Sequence, residues 1–300
     1  MEHVLTVIAP PGSASLSRGQ LEAAREAIRA LGAIAGSPRW LKESEAADIP
    51  FDEIAFEAAE AAARRALDGT ALDLVAQDKA GRRKKLLVAD MDSTIVVGET
   101  LDELAGLAGL KERIAAITAR AMNGELDFAA ALRERVAMLK GLPETALAET
   151  HARVAPMPGA AALVATMRAH GAYAALVSGG FRYFTGRVAA SLGFDLDQGN
   201  DLVIEGGALA GRVAEPILDK DAKLATLRSL AASRHLTLAE TLAVGDGAND
   251  LPMLQAAGLG VAYRAKPAVA AASRVRIDHG DLTALLWAQG YTESEIVTRG

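Results

Sequence analysis

Asp90-Met91-Asp92-Ser93-Thr94 follows directly on four apolar residues, Leu86-Leu87-Val88-Ala89. The apolar run reads as a buried parallel strand, and open parallel sheets bind ligands beyond the carboxyl ends of their strands. Two carboxylates at i and i+2 point the same way if the strand geometry persists. Their repulsion then calls for a cation or a shared proton. The same residues equally suit a capped turn, since Asp, Ser and Thr all favour turns. A second run, Val177-Ser178-Gly179-Gly180, also ends an apolar stretch. Its serine and glycines let backbone N–H groups approach an anion, and the start of a following helix adds to that attraction. A plain glycine turn is the alternative. A third run, Gly245-Asp246-Gly247-Ala248-Asn249-Asp250, follows the apolar Thr241–Val244 and repeats the first arrangement. Asn249 or Asp250 could equally cap a helix. Lys223 opens the helix before that strand, where it opposes the helix dipole and needs anionic company. The ordinary outcome for such a lysine is exposure to solvent.

Taken together, three strand ends supply carboxylates, an anion-binding turn and further carboxylates, and a lysine supplies positive charge. There are no cysteines, so disulfides, thiolate catalysis, zinc fingers and iron–sulfur clusters are excluded. Of the five histidines, none are three or four residues apart, so neither a histidine metal site nor a Ser-His-Asp triad is expected. A metal held by oxygen alone favours Mg²⁺ or Ca²⁺. This is the inventory for phosphoryl transfer through a carboxylate nucleophile.

The elements that must position these groups alternate. Strands are predicted at Tyr173–Val177, Thr241–Val244, Leu259–Ala262 and Val275–Ile277, with helices to about His170, from Arg182 to Leu192 and from Asp221 to Arg234. This pattern implies an α/β fold with a doubly wound parallel sheet. Leu202–Glu205 and Ala208–Arg212, around Gly206-Gly207, suggest a hairpin. From Glu99 to Arg153 the pattern is wholly helical, with segments expected at Lys111–Met122, Asp127–Leu139 and Pro143–Arg153, an insertion capping one edge of the sheet. Residues 1–80 read as a separate β-α-α-β unit. Its first helix starts with a Ser17/Gln20 capping box and carries a Leu21, Ala24, Ile28, Leu31 stripe, and Pro38 to Pro50 is expected to be irregular. The basic Lys79–Lys85 stretch reads as a solvated linker. At 300 residues, 51% hydrophobic and 23% charged, the chain is globular and of about two domains. A net charge of −6 argues against a general nucleic-acid binder. No apolar run reaches the roughly 18 residues of a membrane span, and the start lacks the basic n-region of a signal peptide. A cytoplasmic protein without nucleic-acid or membrane partners is therefore expected.

The four motifs, in their order, resemble those of the haloacid dehalogenase-like hydrolases. DMDST, VSGGF, the lysine and VGDGAND match the forms of that superfamily's phosphoserine phosphatase branch, as do GETLDELA and the Met122 to Arg135 segment. The resemblance covers roughly residues 85–290. It implies a Rossmann-like core over 85–300, a helical cap at about 98–155 and Mg²⁺-dependent hydrolysis of O-phosphoserine, the last step of serine biosynthesis. Asp90 would attack phosphorus. Asp92 would protonate the leaving oxygen and later take a proton from water. Asp90, the Asp92 carbonyl and Asp246 would hold Mg²⁺, with Asp250 supporting them. Ser178, Gly179 and Lys223 would bind the phosphoryl oxygens, with Asn249 close by. In the cap, Glu99 would face the substrate ammonium and Arg135 its carboxylate, under an apolar lid of Met122 and Phe128. Another small phosphate monoester, such as phosphothreonine or phosphohomoserine, is the next reading. A non-catalytic amino-acid sensor is a third, against which the intact Asp90, Asp92, Lys223 and Asp246 argue. Residues 1–80 are weakly similar to ACT-type sensing domains, or else serve packing or homodimerisation.

Overall fold

The structure, a computed structural model, describes residues 1–123 and 125–298, and of Met122 the backbone alone. Its first part contains β1 (His3–Ile8), α1 (Arg18–Arg29), β2 (Ile34–Ala35), β3 (Arg39–Lys42), β4 (Ala46–Asp52), α2 (Phe56–Ala66) and β5 (Asp73–Asp78). The Ser17/Gln20 capping box forms, and α1 buries Leu21, Ala24 and Ile28. Leu31 lies beyond the helix and is exposed.

The predicted irregular stretch from Pro38 to Pro50 is instead two strands. β4 pairs antiparallel with β1 on one edge and with β2 and β3 on the other. Its polar residues conceal a central position because they are satisfied inside. Asp48 accepts from the Thr6 hydroxyl (2.8 Å) and from Arg82 (2.6 Å). Pro50 donates nothing, but its carbonyl accepts the Gly36 N–H at 2.8 Å. The resulting sheet, with β1 also paired to β5, carries α1 and α2 on a core of its own.

The basic stretch is not a solvated linker. Arg82 pairs with Asp48, Arg83 with Glu295 and Lys85 with Glu240. Lys84 is buried and donates to the Gly81 and Ala239 carbonyls. Through Arg82 to Asp48 and Lys84 to the Ala239 carbonyl the stretch fastens the first sheet to the rest of the chain, while Lys79 is exposed.

The second sheet is built from β6 (Leu86–Ala89), β7 (Tyr173–Phe181), β8 (Leu196–Asn200), β11 (Thr241–Gly245), β12 (Leu259–Tyr263) and β13 (Val275–Ile277). The order is β13-β12-β11-β6-β7-β8, and every pair is parallel. Between them run α7 (Ala160–Ala169), α8 (Arg182–Leu192), the hairpin of β9 (Leu202–Glu205) and β10 (Ala208–Val213), α9 (Lys220–Ser233), α10 (Leu251–Ala256), α11 (Pro267–Ala272) and, last, α12 (Ala284–Ala288). Fully apolar β6 lies between β11 and β7, and Ala89 stands level with Val244 and Leu176. Asp90, Gly245 and Val177 therefore follow on three adjacent strands, and all three predicted motifs emerge at one end of the sheet.

The cap comprises α3 (Thr100–Leu107), α4 (Lys111–Met122), α5 (Phe128–Ala137) and α6 (Thr145–His151). The hairpin joins it: Leu209 N–H donates to the Leu142 carbonyl and Gly141 N–H to that of Leu209. Among the described residues no helix is long and apolar enough to cross a membrane.

Candidate active site

Lys223 sits in the first turn of α9, whose N-cap Asp219 accepts from the N–H groups of Asp221 and Ala222. The lysine is fully buried, and Nζ donates to Asp90 Oδ1 and to Asp250 Oδ1, each at 2.7 Å. Burial opposes its charge, but the Asp250 and Asp90 carboxylates more than compensate and hold its pKa above the ordinary lysine value. A buried cation without such partners would cost several kcal/mol. The expected anionic company is thus supplied by two motifs from different strands.

Asp246 is nearly as deep. Its Oδ1 accepts from the Thr94 hydroxyl at 3.3 Å, while Oδ2 is buried without a hydrogen bond and, among the described residues, pairs with Lys266 Nζ alone, 3.8 Å away. Burial, then Glu99, Asp90 and Asp250, push its pKa well above the usual carboxylate range. Asp250 accepts from the Gly247 N–H through Oδ2 and from Lys223 through Oδ1. Burial and the neighbouring Asp90 raise its pKa to about 6 despite Lys223. Gly245 is required there, because a Cβ would lie inside the Asp250 side chain.

Asp90, Asp246 and Asp250 each bring a carboxylate oxygen within 4.8 Å of the others. An all-oxygen donor set with one orphaned buried oxygen fits a hard divalent cation. Both oxygens of Asp250 are already engaged, so it is better placed to support such a site than to head it.

Asp92 lines the same cavity as Asp90 and Asp246. Its Oδ1 accepts the Thr100 N–H at 2.9 Å. Burial, followed by Glu99 and Asp90, raises its pKa well above the usual range. Ser178 Oγ accepts the Gly180 N–H at 2.9 Å; where a turn was expected after Val177, β7 runs on to Phe181 and its pairing with β8 shifts register between Val177 and Phe181. A Cβ on Gly180 would lie 2.6 Å from Asp92 Oδ2, and one on Gly179 would enter the Phe128 ring. The glycines thus let an acid and an aromatic ring approach the end of β7.

Phe128 opens α5 behind its N-cap Asp127. Glu99 is the N-cap residue of α3 and accepts from the Ser93 hydroxyl at 2.7 Å. Ser93 holds this position with φ at 54°, in the left-handed region. Burial, then Asp90 and Asp102, raise the Glu99 pKa, partly offset by the Ser93 hydroxyl. Arg135, on α5, is buried. One cavity is lined by Asp90, Asp92, Glu99, Phe128, Arg135, Ser178, Gly179, Asp246 and Asn249. The amide Oδ1 of Asn249 is buried without a hydrogen bond. Lys223 and Asp250 stand behind this wall, and the Met122 side chain lies outside the described residues.

Residues 87–255 match the family model of haloacid dehalogenase-like hydrolases. The chain belongs to this family. Within it, the chain is 44% identical over 217 residues to the phosphoserine phosphatase SerB2 of Mycobacterium tuberculosis, a match that takes in 72% of this chain but only 53% of that protein. Against the phosphoserine phosphatase of Lactococcus lactis it is 44% identical over 203 residues, 68% of this chain and 94% of the relative. A solved phospho-aspartyl intermediate analogue of phosphoserine phosphatase superposes with a TM-score of 0.66 at 38% identity, covering 68% of this chain and 98% of that one.

Several residues of this hydrolase site were assigned no role from the sequence. Asn200, ending β8, donates to the Gly179 carbonyl at 2.8 Å and accepts the Leu218 N–H at 2.7 Å, bracing the glycine segment of β7. Thr94 and Lys266 attend Asp246, and Thr118 attends Arg135. Thr94 belonged to a marked motif. The others offered no signal, being ordinary polar residues distant in the chain.

Proposed function

We propose that the protein is a phosphatase of small phosphate monoesters that hydrolyses O-phosphoserine to serine and phosphate with Mg²⁺. The observation that carries the reading is one cavity with phosphate chemistry on one wall and a pair of opposite charges, Glu99 and Arg135, on the other. A free amino acid needs both charges, and Arg grips a carboxylate well. The names of the relatives point the same way.

In this reading Asp90 is the nucleophile. Its carboxylate oxygen forms a bond to phosphorus as the bond from phosphorus to the serine oxygen breaks, leaving an aspartyl phosphate. Lys223 orients the Asp90 carboxylate through Oδ1 and, with Ser178 and the Gly179 N–H, balances charge on the phosphoryl oxygens. Asn249 adds a donor at the rim. Asp92 gives its proton to the departing serine oxygen. It then takes a proton from water as that water attacks phosphorus, which frees phosphate and restores both aspartates. Asp90, Asp246 and the Asp92 carbonyl are the groups assigned to Mg²⁺, with Asp250 in support. When bound, the ion supplies positive charge that relieves the crowded carboxylates and the phosphoryl group.

Phe128, with Met122, is assigned to the lid. Residues 1–80 form an appended unit, ACT-like or a dimerisation surface, which supplies nothing to the cavity. We assign the protein to the cytoplasm. Phosphate release from O-phosphoserine tests the proposal. We expect turnover with Mg²⁺, none with excess EDTA and none in Asp90→Asn. Comparable rates on phosphate esters without an amino acid group would refute the substrate assignment.

A further inference from the structure

Arg135 is buried, yet among the described residues no carboxylate forms an ion pair with it. Its Nε donates to the Ala131 carbonyl of its own helix at 3.1 Å, and Nη1 donates to Thr118 Oγ1 at 2.9 Å. Thr118 in turn donates to Asp102 Oδ1 at 2.7 Å and lies 3.1 Å from the Ile114 carbonyl. Thr118 and Asp102 are both buried. The direction of this chain is fixed by chemistry, because Arg only donates and an ionised Asp only accepts. The hydroxyl must therefore accept from Arg135, and of the two acceptors open to its one proton Asp102 at 2.7 Å is nearer than the Ile114 carbonyl at 3.1 Å.

We propose that Asp102 and Thr118 are positioning residues that hold Arg135 ready for the carboxylate of an amino acid substrate. The inference rests on the proposed role of Arg135. Burial works against the guanidinium charge, and Asp102 is foremost among the charges that sustain it, ahead of Glu99 and Asp92. Asp102 does so at one remove. A carboxylate bonded directly to Arg135 would occupy the donors that substrate needs, whereas a hydroxyl between them fixes the guanidinium and leaves Nη2 without a partner among the described residues. The three residues lie on α3, α4 and α5, so the relay also ties together three helices of the cap.

The test compares O-phosphoserine with O-phosphoethanolamine, which lacks the carboxylate. Thr118→Val keeps the shape and removes the relay, while Thr118→Ser keeps the hydroxyl. Hydrogen bonds to charged groups contribute enough that about a tenfold change is expected. For Thr118→Val, KM for O-phosphoserine should rise by about that factor with kcat within twofold, and kcat/KM for O-phosphoethanolamine should stay unchanged. Thr118→Ser should restore KM. Equal losses on both substrates, or no loss on either, would overturn the relay. Asp102→Asn, which retains an acceptor, should show a smaller shift of the same selectivity, and its absence counts equally against the relay if Thr118→Val fails to fold. Arg135→Ala run in parallel separates two failures. If it discriminates between the substrates and the Thr118 and Asp102 variants do not, the relay alone is wrong. If Arg135→Ala does not discriminate, the carboxylate assignment falls and the relay with it.

Discussion

The two walls of the cavity are built differently. On the sheet side, charge meets charge directly: Lys223 lies 2.7 Å from both Asp90 and Asp250 and is sealed from solvent. These groups stand on adjacent strand ends and a helix start, which leave little freedom of placement. On the cap side, Glu99 is reached through the Ser93 hydroxyl and Arg135 through that of Thr118. Those residues sit on short helices. The sheet wall is fixed for one kind of reaction, and the cap wall presents charges held by neutral groups, available to a ligand of opposite sign. On the proposed reading, phosphoryl chemistry and substrate choice are carried by separate parts of the fold.

Substitutions should reveal that division. Asp90→Asn should lower turnover by about 10⁴-fold or more on any phosphate ester, read by phosphate release, as expected when a nucleophile is lost. Lys223→Ala should follow closely on activity. It should also lower stability by about 3–5 kcal/mol in denaturant unfolding, because it strands two buried carboxylates. Arg135→Ala should raise KM for O-phosphoserine by about 10–100-fold, the value of a lost charged hydrogen bond, and leave O-phosphoethanolamine nearly untouched. If Arg135→Ala impaired both esters as severely as Lys223→Ala does, the two walls would not be separate in function. The smallest effect should come from a third region. Arg82→Ala should cost about 1–3 kcal/mol by unpairing the largely buried Asp48, with kcat and KM unchanged.

Much of the sheet wall was legible because apolar strands stop abruptly at acids or glycines. Asp90, Asp246 and Ser178 sit where the pattern of hydrophobicity breaks, and parallel strands send such breaks to one end. The resemblance of the cap segment to a known family carried Glu99, Phe128 and Arg135, whose helical spacing alone suited a surface or a core as well. Other features left no trace. β8 reads Leu196-Asp197-Gln198-Gly199-Asn200, an edge strand without apolar alternation, so Asn200 gave no sign of bracing Gly179. β4 was hidden by Asp48 and Pro50, whose tolerance inside a sheet depends on Thr6, Arg82 and Gly36 elsewhere in the chain. Arg82 to Lys85 resembled a solvated charge run because a sequence shows charges but not their partners.

Asp73, in the last strand of the first sheet, accepts N–H groups from Asp278, His279 and Gly280, a turn 205 to 207 residues onward. Gln77 of the same strand donates to the Ala288 carbonyl. Residues 278–280 and Ala288 are thus tied to β5 of the first sheet. Cutting the molecule after residue 80 would not liberate two intact pieces; it would leave the distal one with amides that have lost their acceptor.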